Sequence, residues 1–187
     1  MDEIMELEKN NKVPHVFYCF DEVKSYVDNA ISYIASGVKQ GNHILFIEND
    51  KIYPKIDKKL KTFLTEEQLN QVHRIDNFDY YLSEGSFHPS TILDYFSKTI
   101  EPYWKNRLTV RIWGHVEWGD QREITGKLEE YERGIDKLVT EIKYTTVCAY
   151  DGDRLPNSLR TTLLKCHEFV MTDTQLLPSK LYKRAAF

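Results

Sequence analysis

Short apolar runs alternate along this chain with longer segments of helical periodicity, and this alternation constrains the fold more than any other feature. The run HILFIE at 43–48 contains four consecutive apolar residues, a pattern typical of a strand that is covered on both faces. The segment before it places apolar residues at helical spacing from Val23 to Val38, between a candidate N-cap at Asp21 and Gly41. Such alternation indicates parallel strands that are joined by helical crossovers.

The same pattern continues to the end of the chain and predicts a mostly parallel central sheet with helices on both faces. Six strands are predicted, at 15–20, 43–48, 72–75, 110–118, 145–150 and 169–172. The helices between them are predicted at 23–38, 52–63, from Pro89 onwards, at 124–142, and after Pro156 through Leu159, Leu163 and Cys166. A length of 187 residues suits one domain, which we expect at 14–175, between a flexible polar leader (1–13) and a C-terminal tail (176–187).

Composition excludes several functional classes. The formal net charge is -4 and no dense Lys/Arg cluster is present, which argues against direct binding of nucleic acid. No run reaches the roughly 18 apolar residues that a membrane span requires, and the acidic N-terminus does not resemble a signal peptide. The three cysteines have no CxxC spacing, so we expect reduced thiols, a cytoplasmic protein, and neither a metal site nor another cofactor.

The stretch VRIWGHVEW at 110–118 carries unusual charge for a buried strand. Arg111, His115 and Glu117 share one face of the strand, because alternate residues point to the same side. Ionisable groups are costly to bury without partners, so we expect Arg111 to pair with a carboxylate from a neighbouring element. His115 and Glu117 lie nearer the strand's carboxyl end and are candidates for polar contacts in a ligand pocket.

Acidic and aromatic residues follow several of the predicted strands. Ligands of open parallel sheets bind beyond the carboxyl ends of the strands, and Glu48, Glu117, Trp118 and Tyr150 lie at those ends. Helix N-termini, which follow strand ends, also attract acidic residues. The acids therefore predict either a ligand crevice or ordinary helix capping.

Catalytic motifs are missing from the expected places. The turn after the first strand reads YCFDEVKSY, without glycine or a Gly-Lys-Ser/Thr sequence, so no loop is available to cradle phosphates. His115 and Glu117 could supply two metal ligands, with His15, His43 or Cys148 as a third, but no recognised ligand spacing supports this. Cys148, in mid-strand, is interpreted as a core residue.

A set of short motifs resembles a known family. His15 opens the first strand, FIEND ends the second, and GSFHP, RIWGHVEW, EYE (130–132) and CAYD (148–151) follow in order. Together they resemble the MEDS domain, a sensory domain named from methanogens, methylotrophs and a dichloromethane-responsive repressor. The resemblance runs from about His15 to Thr172.

The resemblance implies a RecA-like three-layer fold that has lost its phosphate-binding loop, and a sensor of small organic molecules. The residues predicted to bind ligand are His15, Glu48, His115, Glu117, Trp118 and Tyr150. Those predicted to have structural or supporting roles are Arg111, Tyr131, Glu132 and Cys148. The tails are too short for a helix-turn-helix or a kinase, so a stand-alone domain is expected.

The leading hypothesis is thus a cytoplasmic, non-enzymatic sensory domain that signals through a signalling or transcription-regulating protein partner, with a homodimer as a further option. One alternative is an adaptor that binds proteins through exposed aromatic residues such as Tyr80 and Tyr81. Another is a nucleotide-binding enzyme with a non-standard phosphate site, in which carboxylates hold a metal ion.

Overall fold

A computed structural model describes residues 2–119 and 124–183 and shows one seven-stranded α/β sheet. The strands are β1 (His15–Phe20), β2 (His43–Ile47), β3 (Val72–Ile75), β4 (Val110–His115), β5 (Thr145–Asp151), β6 (Phe169–Met171) and β7 (Leu176–Pro178). Their order across the sheet is β3-β2-β4-β5-β1-β6-β7. Every pair is parallel except β6 with β7, so the predicted fold class is confirmed.

Helices cover both faces of the sheet. They are α1 (Asp2–Lys9), α2 (Val23–Lys39), α3 (Tyr53–Leu60), α4 (Glu66–Leu69), α5 (Asn77–Tyr81), α6 (Pro89–Lys105), α7 (Ile124–Ile142) and α8 (Asn157–Cys166). The strand residues alternate between two apolar cores, because successive side chains of a strand point to opposite faces. Tyr18 and Trp113 pack with α1, α2 and α3, whereas Phe17 and Ile112 pack with α5, α6, α7 and α8.

The two predicted tails contain regular structure. Where a flexible leader was expected, α1 is a helix whose Ile4 is buried in the core. The expected C-terminal tail begins with β7, which extends the sheet. Residue 1 and residues 184–187 of these tails lie outside the described part of the chain.

The start of α2 also differs from the prediction. Glu22, rather than Asp21, is the N-cap, and it makes no side-chain capping bond. Instead the Glu22 amide donates to Asp173 Oδ2 at 3.1 Å, so a carboxylate distant in sequence satisfies one of the free amides at this helix end. At the other end, Gly41 adopts a φ of 81° just past the C-cap, which glycine does without steric cost.

The carboxylate expected for Arg111 is that of Glu8 in α1. Arg111 is 1% exposed, and its Nε donates to Glu8 Oε1 at 3.0 Å while its Nη2 pairs with Glu8 Oε2. Nη1 donates to Ser36 Oγ at 2.8 Å, and Nη2 donates to Gln40 Oε1 at 3.1 Å. A buried guanidinium near the amino end of β4 therefore holds the N-terminal helix in place.

Within the described ranges, 2–119 and 124–183, no helix combines the length and the apolar character that crossing a membrane would take.

Candidate functional site

The predicted site residues fall into two groups on opposite faces of the sheet. Glu48 and His115 lie on the α2 side, at the carboxyl ends of β2 and β4. His15, Cys148 and Tyr150 point to the α7 side, and His15 begins its strand, so it lies at the amino edge. The single crevice predicted from the sequence is thus two separate polar clusters.

The first group, here the carboxyl-edge cluster, consists of Tyr26, Glu48, Asn49, Trp113 and His115. Glu48 is fully buried, and its Oε1 accepts from the Asn49 amide at 2.8 Å and from His115 Nδ1 at 2.7 Å. Its Oε2 accepts from the Tyr26 hydroxyl at 2.5 Å, which in turn accepts from Trp113 Nε1 at 2.9 Å. Both carboxylate oxygens therefore have partners.

Glu117 and Trp118 lie beside this cluster but are held separately. Arg154 donates from Nη1 to Glu117 Oε2 and from Nη2 to Oε1, both at 2.8 Å, and its guanidinium lies 4.4 Å from the Trp118 ring centroid. Desolvation opposes ionisation of Glu117, but the bonds from Arg154 and the Gly119 amide prevail and lower its pKa. Glu117 is thus an ionised, fully paired carboxylate.

The second group, here the His-Glu-Cys cluster, consists of His15, Glu132, Cys148 and His167. One ligand-type atom from each residue lies within 4.8 Å of all the others, and all four residues are buried. Glu132 Oε2 lies 3.4 Å from His15 Nε2 and 3.2 Å from His167 Nε2, and Cys148 Sγ lies 3.5 Å from His15 Nε2. The cluster joins β1, α7, β5 and the residue that follows α8.

Neighbouring groups fix the orientation of these side chains. His15 Nδ1 donates to Asp136 Oδ1 at 3.2 Å, and His167 Nδ1 donates to the Leu163 carbonyl at 2.9 Å. The Tyr150 hydroxyl donates to Glu132 Oε1. Both imidazoles therefore turn their Nε2 atoms, and Glu132 turns its Oε2, toward the centre of the cluster.

Two of the four central atoms lack the hydrogen bonds that their burial requires, whereas Cys148 Sγ and His15 Nε2 are within hydrogen-bond distance of each other. Among the described residues, Glu132 Oε2 and His167 Nε2 have no hydrogen-bond partner, although both residues are fully buried. Glu132 Oε2 lies close to the Nε2 atoms of both histidines, but these groups are not aligned for hydrogen bonding. Unsatisfied buried polar atoms are costly and uncommon in native proteins. This centre therefore differs from a buried polar network in which every donor and acceptor is hydrogen-bonded.

The ionisation of the cluster follows from its burial and its charges. Burial lowers the pKa of His15, but the hydrogen bond to Asp136 and the Glu132 carboxylate outweigh it and raise that pKa to about 9. Desolvation opposes ionisation of Glu132, yet the two histidines hold its pKa well below the ordinary range. Burial raises the pKa of the Cys148 thiol and lowers that of His167.

A cavity of about 830 Å³ opens at the amino edge of the sheet, next to the His-Glu-Cys cluster. His15 and Asp136 form part of its wall, together with Thr140. Charged side chains from several elements complete the lining, among them Glu8, Lys12, Arg111, Lys143 and Glu168. This amino-edge cavity lies at the opposite end of the strands from the predicted crevice.

The turn between β1 and α2 is arranged differently from a phosphate-binding loop. A Cβ on Gly152 would come within 2.5 Å of Asp21 Oδ1 and 2.8 Å of the Phe20 carbonyl, so the chain after β5 packs directly against this turn. Asp173 accepts from the amide of Glu22, the N-cap of α2. Carboxylates thus surround the position in which a phosphate would need amide donors.

The model of one sensory family matches most of the chain. Residues 14–168 match the MEDS domain, described as the methanogen/methylotroph, DcmR sensory domain. The chain belongs to the MEDS family. No curated protein matches the sequence. Among solved structures, the MEDS chain is similar to an ATPase domain, with a TM-score of 0.59 and 11% identity over 85% of this chain and 68% of that one. At this identity the likeness shows the fold alone, and it is consistent with a RecA-like architecture.

Two residues of the His-Glu-Cys cluster and its surroundings were missed in the sequence. His167 and Asp136 were not singled out, although Glu132 and Asp136 stand four residues apart on the buried face of α7. Two carboxylates among apolar helix positions are a signal for buried partners.

The aromatic anchors proposed for an adaptor are not exposed. Tyr80 and Tyr81 are each 1% exposed and pack in the core beneath α6. Their neighbour Phe78 is exposed instead. The prediction of a Tyr80/Tyr81 docking surface is therefore wrong.

Proposed function

We propose that this MEDS domain is a sensory module that binds a small polar organic molecule in the amino-edge cavity and signals through a partner protein in the cytoplasm. Membership of a sensory family supports the role. The observation that carries the proposal is the cavity itself, about 830 Å³, a volume within the roughly 300–1,000 Å³ of ligand sites. Its mixed charged lining favours a polar ligand.

We prefer the amino edge to the predicted carboxyl edge because the buried carboxylates at the carboxyl edge are already hydrogen-bonded to other groups of the protein. Both oxygens of Glu48 and both oxygens of Glu117 already accept hydrogen bonds from protein groups. A ligand at that edge would have to break those pairs before binding. In the cavity lining, Lys12, Lys143 and Glu168 are exposed to solvent and offer charged groups without this cost.

Elements from distant parts of the chain form the cavity wall. Glu8 belongs to α1, Asp136 and Thr140 belong to α7, and Tyr182 follows β7. A ligand that contacts all three would favour the conformations in which they are close together. The response is then a shift between populations, limited by the difference in the ligand's affinity for them.

A blocked cavity tests this proposal. We expect Thr140→Trp, which places a large ring in the wall, to abolish stabilisation by ligands found in a thermal-shift screen of polar metabolites. Thr161→Trp, on the exposed side of α8, is the matched control and should respond like wild type. If Thr140→Trp retains full ligand response, or if no metabolite stabilises the wild type, the cavity is not the receptor site.

We further propose that the domain does not hydrolyse ATP, although its fold resembles that of an ATPase domain. Asp21, Glu22 and Asp173 surround the start of α2, and their charges oppose a triphosphate. Calorimetric titration with ATP and magnesium should give no binding heat. Saturable binding with phosphate release would instead favour the enzyme alternative.

A further inference from the structure

We propose that His15, Glu132, Cys148 and His167 form a zinc-binding site with one ligand atom from each residue. This inference does not depend on the sensory ligand, since the four residues form a separate centre between the sheet and α7. Imidazole, thiolate and carboxylate are all common zinc ligands, and four protein ligands are typical of a structural rather than a catalytic site.

The separations between the ligand atoms support a tetrahedral centre. Bonds of roughly 2.0–2.3 Å from zinc to nitrogen, oxygen and sulfur place tetrahedral ligand atoms about 3.3–3.6 Å apart. The observed separations are 3.2 Å and 3.4 Å from Glu132 Oε2 to the two histidines, and 3.5 Å from Cys148 Sγ to His15 Nε2. The more distant pairs, within 4.8 Å, close as the ion draws its ligands in.

The charges of the proposed centre also balance. One thiolate and one carboxylate together cancel the two positive charges of Zn²⁺, while the two imidazoles bind as neutral ligands. A neutral centre avoids the large desolvation penalty of a net buried charge. Binding releases two protons to solvent, one from the Cys148 thiol and one from the His15 imidazolium, because metals bind the thiolate and the neutral imidazole.

The surroundings of the four ligands match those of metal-bound histidines. In such histidines the second ring N–H donates a hydrogen bond to a carboxylate or a backbone carbonyl, which fixes the ring orientation. Asp136 and the Leu163 carbonyl occupy these positions, at 3.2 Å and 2.9 Å. Tyr150 similarly binds the outer oxygen of Glu132.

A network without an ion explains these observations less well. It would leave Glu132 Oε2 and His167 Nε2, two fully buried atoms, without hydrogen bonds in the described structure. A coordinated ion uses the lone pairs of both atoms at once. The two central atoms without hydrogen bonds and the bonds that orient their side chains from outside therefore have a single explanation.

The direct test is the metal content of the full chain, purified without a polyhistidine tag from zinc-supplemented medium. Mass spectrometry with inductively coupled plasma should find stoichiometric zinc in the wild type and at least a tenfold loss in Cys148→Ser. Cys19→Ser removes another buried thiol on the same sheet face and should keep its zinc. Metal-free wild type, or equal loss in both variants, would overturn the proposal.

Cobalt substitution gives a readout that does not require a stable variant. Co²⁺ in the wild-type site should show the visible bands of tetrahedral coordination and a thiolate charge-transfer band in the near ultraviolet. Cys19→Ser should give the same spectrum. An octahedral cobalt spectrum, or one without the thiolate band, would contradict the ligand set.

Asp136→Asn tests the supporting contact. Loss of such a carboxylate typically weakens metal affinity by roughly tenfold to a hundredfold, which competition with a chromophoric chelator measures. The cobalt spectrum should remain tetrahedral because the four ligands are intact. Unchanged affinity would show that Asp136 does not orient a metal-bound His15. Failure of ligand binding at the cavity would leave all these metal readouts unaffected.

Discussion

The carboxyl-edge cluster and the His-Glu-Cys cluster both centre on a glutamate that is fully buried, yet they compensate that charge in different ways. Glu48 accepts three hydrogen bonds on its two oxygens. Glu132 accepts one on its outer oxygen, and its inner oxygen faces two imidazoles without a hydrogen bond. In the first cluster, protein groups alone satisfy the buried carboxylate. In the second, a cation at the centre completes its partners.

The origin of the partners explains the difference. Glu48 follows β2, and its partners come from the next residue, from β4 alongside and from α2 above. A backbone amide, a ring N–H and a hydroxyl donate to it there. Glu132 lies in the middle of α7 and faces two rings whose Nδ1 atoms already donate elsewhere. The contrast teaches that a buried carboxylate points to a bound cation only when one of its oxygens has no hydrogen-bond donor from the protein.

The largest expected effect comes from metal removal. A ligand present at about 1,000 times its dissociation constant stabilises the folded state by about 4 kcal/mol. We therefore expect excess chelator to reduce the free energy of unfolding of the wild type by about that amount and to lower Tm by about 8–16 °C. Urea and thermal unfolding measure both.

The same treatment separates the two clusters. Chelator should have its full effect on Glu48→Gln and none on Cys148→Ser. An equal response in Cys148→Ser, or no response in wild type, would remove the distinction between the clusters.

A smaller effect is expected at the carboxyl-edge cluster. Glu48→Ala leaves the Tyr26 hydroxyl, the Asn49 amide and His115 Nδ1 without their acceptor, and each unsatisfied buried donor costs about 1–3 kcal/mol. We expect a total destabilisation of about 3 kcal/mol, measured by urea unfolding, because the site relaxes in part. Glu48→Gln, which keeps an acceptor oxygen, should cost about 1 kcal/mol. A drop in zinc content in either variant would show that the clusters are coupled.

The smallest effect concerns Glu117, whose partner Arg154 is partly exposed to solvent. We expect Glu117→Gln to cost about 1 kcal/mol at neutral pH. Because the folded pKa of Glu117 is lowered, its contribution is present above the ordinary carboxyl pKa and is lost as pH falls through the folded value. Wild type and variant should therefore converge in acid-titrated unfolding curves. A difference that persists at low pH would indicate a packing effect instead.

Local patterns were sufficient to predict most of the fold. The strands HVFYCF and VHRI have the predicted bounds, and the helix from Pro89 begins where predicted. Apolar runs and helical periodicity are encoded within a few residues. By contrast, α1 is polar overall and depends on the Glu8–Arg111 pair, a contact between distant segments that no local pattern reveals.

The candidate site was predicted only in part for the same reason. Glu48 and His115 were named together and are in contact, and His15 and Cys148 were named as well. The cluster formed by His15 and Cys148 takes its other members from α7 and from the residue after α8. Ligands on four separate elements have no characteristic spacing, so their meeting depends on the strand order and on helix packing.

The Glu8–Arg111 pair has a practical consequence for work on this protein. A fragment trimmed to the family match, residues 14–168, would lack α1. The buried Arg111 guanidinium would then lose the Glu8 carboxylate that balances its charge. The fragment would also end one residue after His167, without β6 or β7 to anchor that segment. Expression vectors should therefore start ahead of Ile4 and extend past Tyr182, because a shorter product would be prone to misfold for reasons unrelated to its biology.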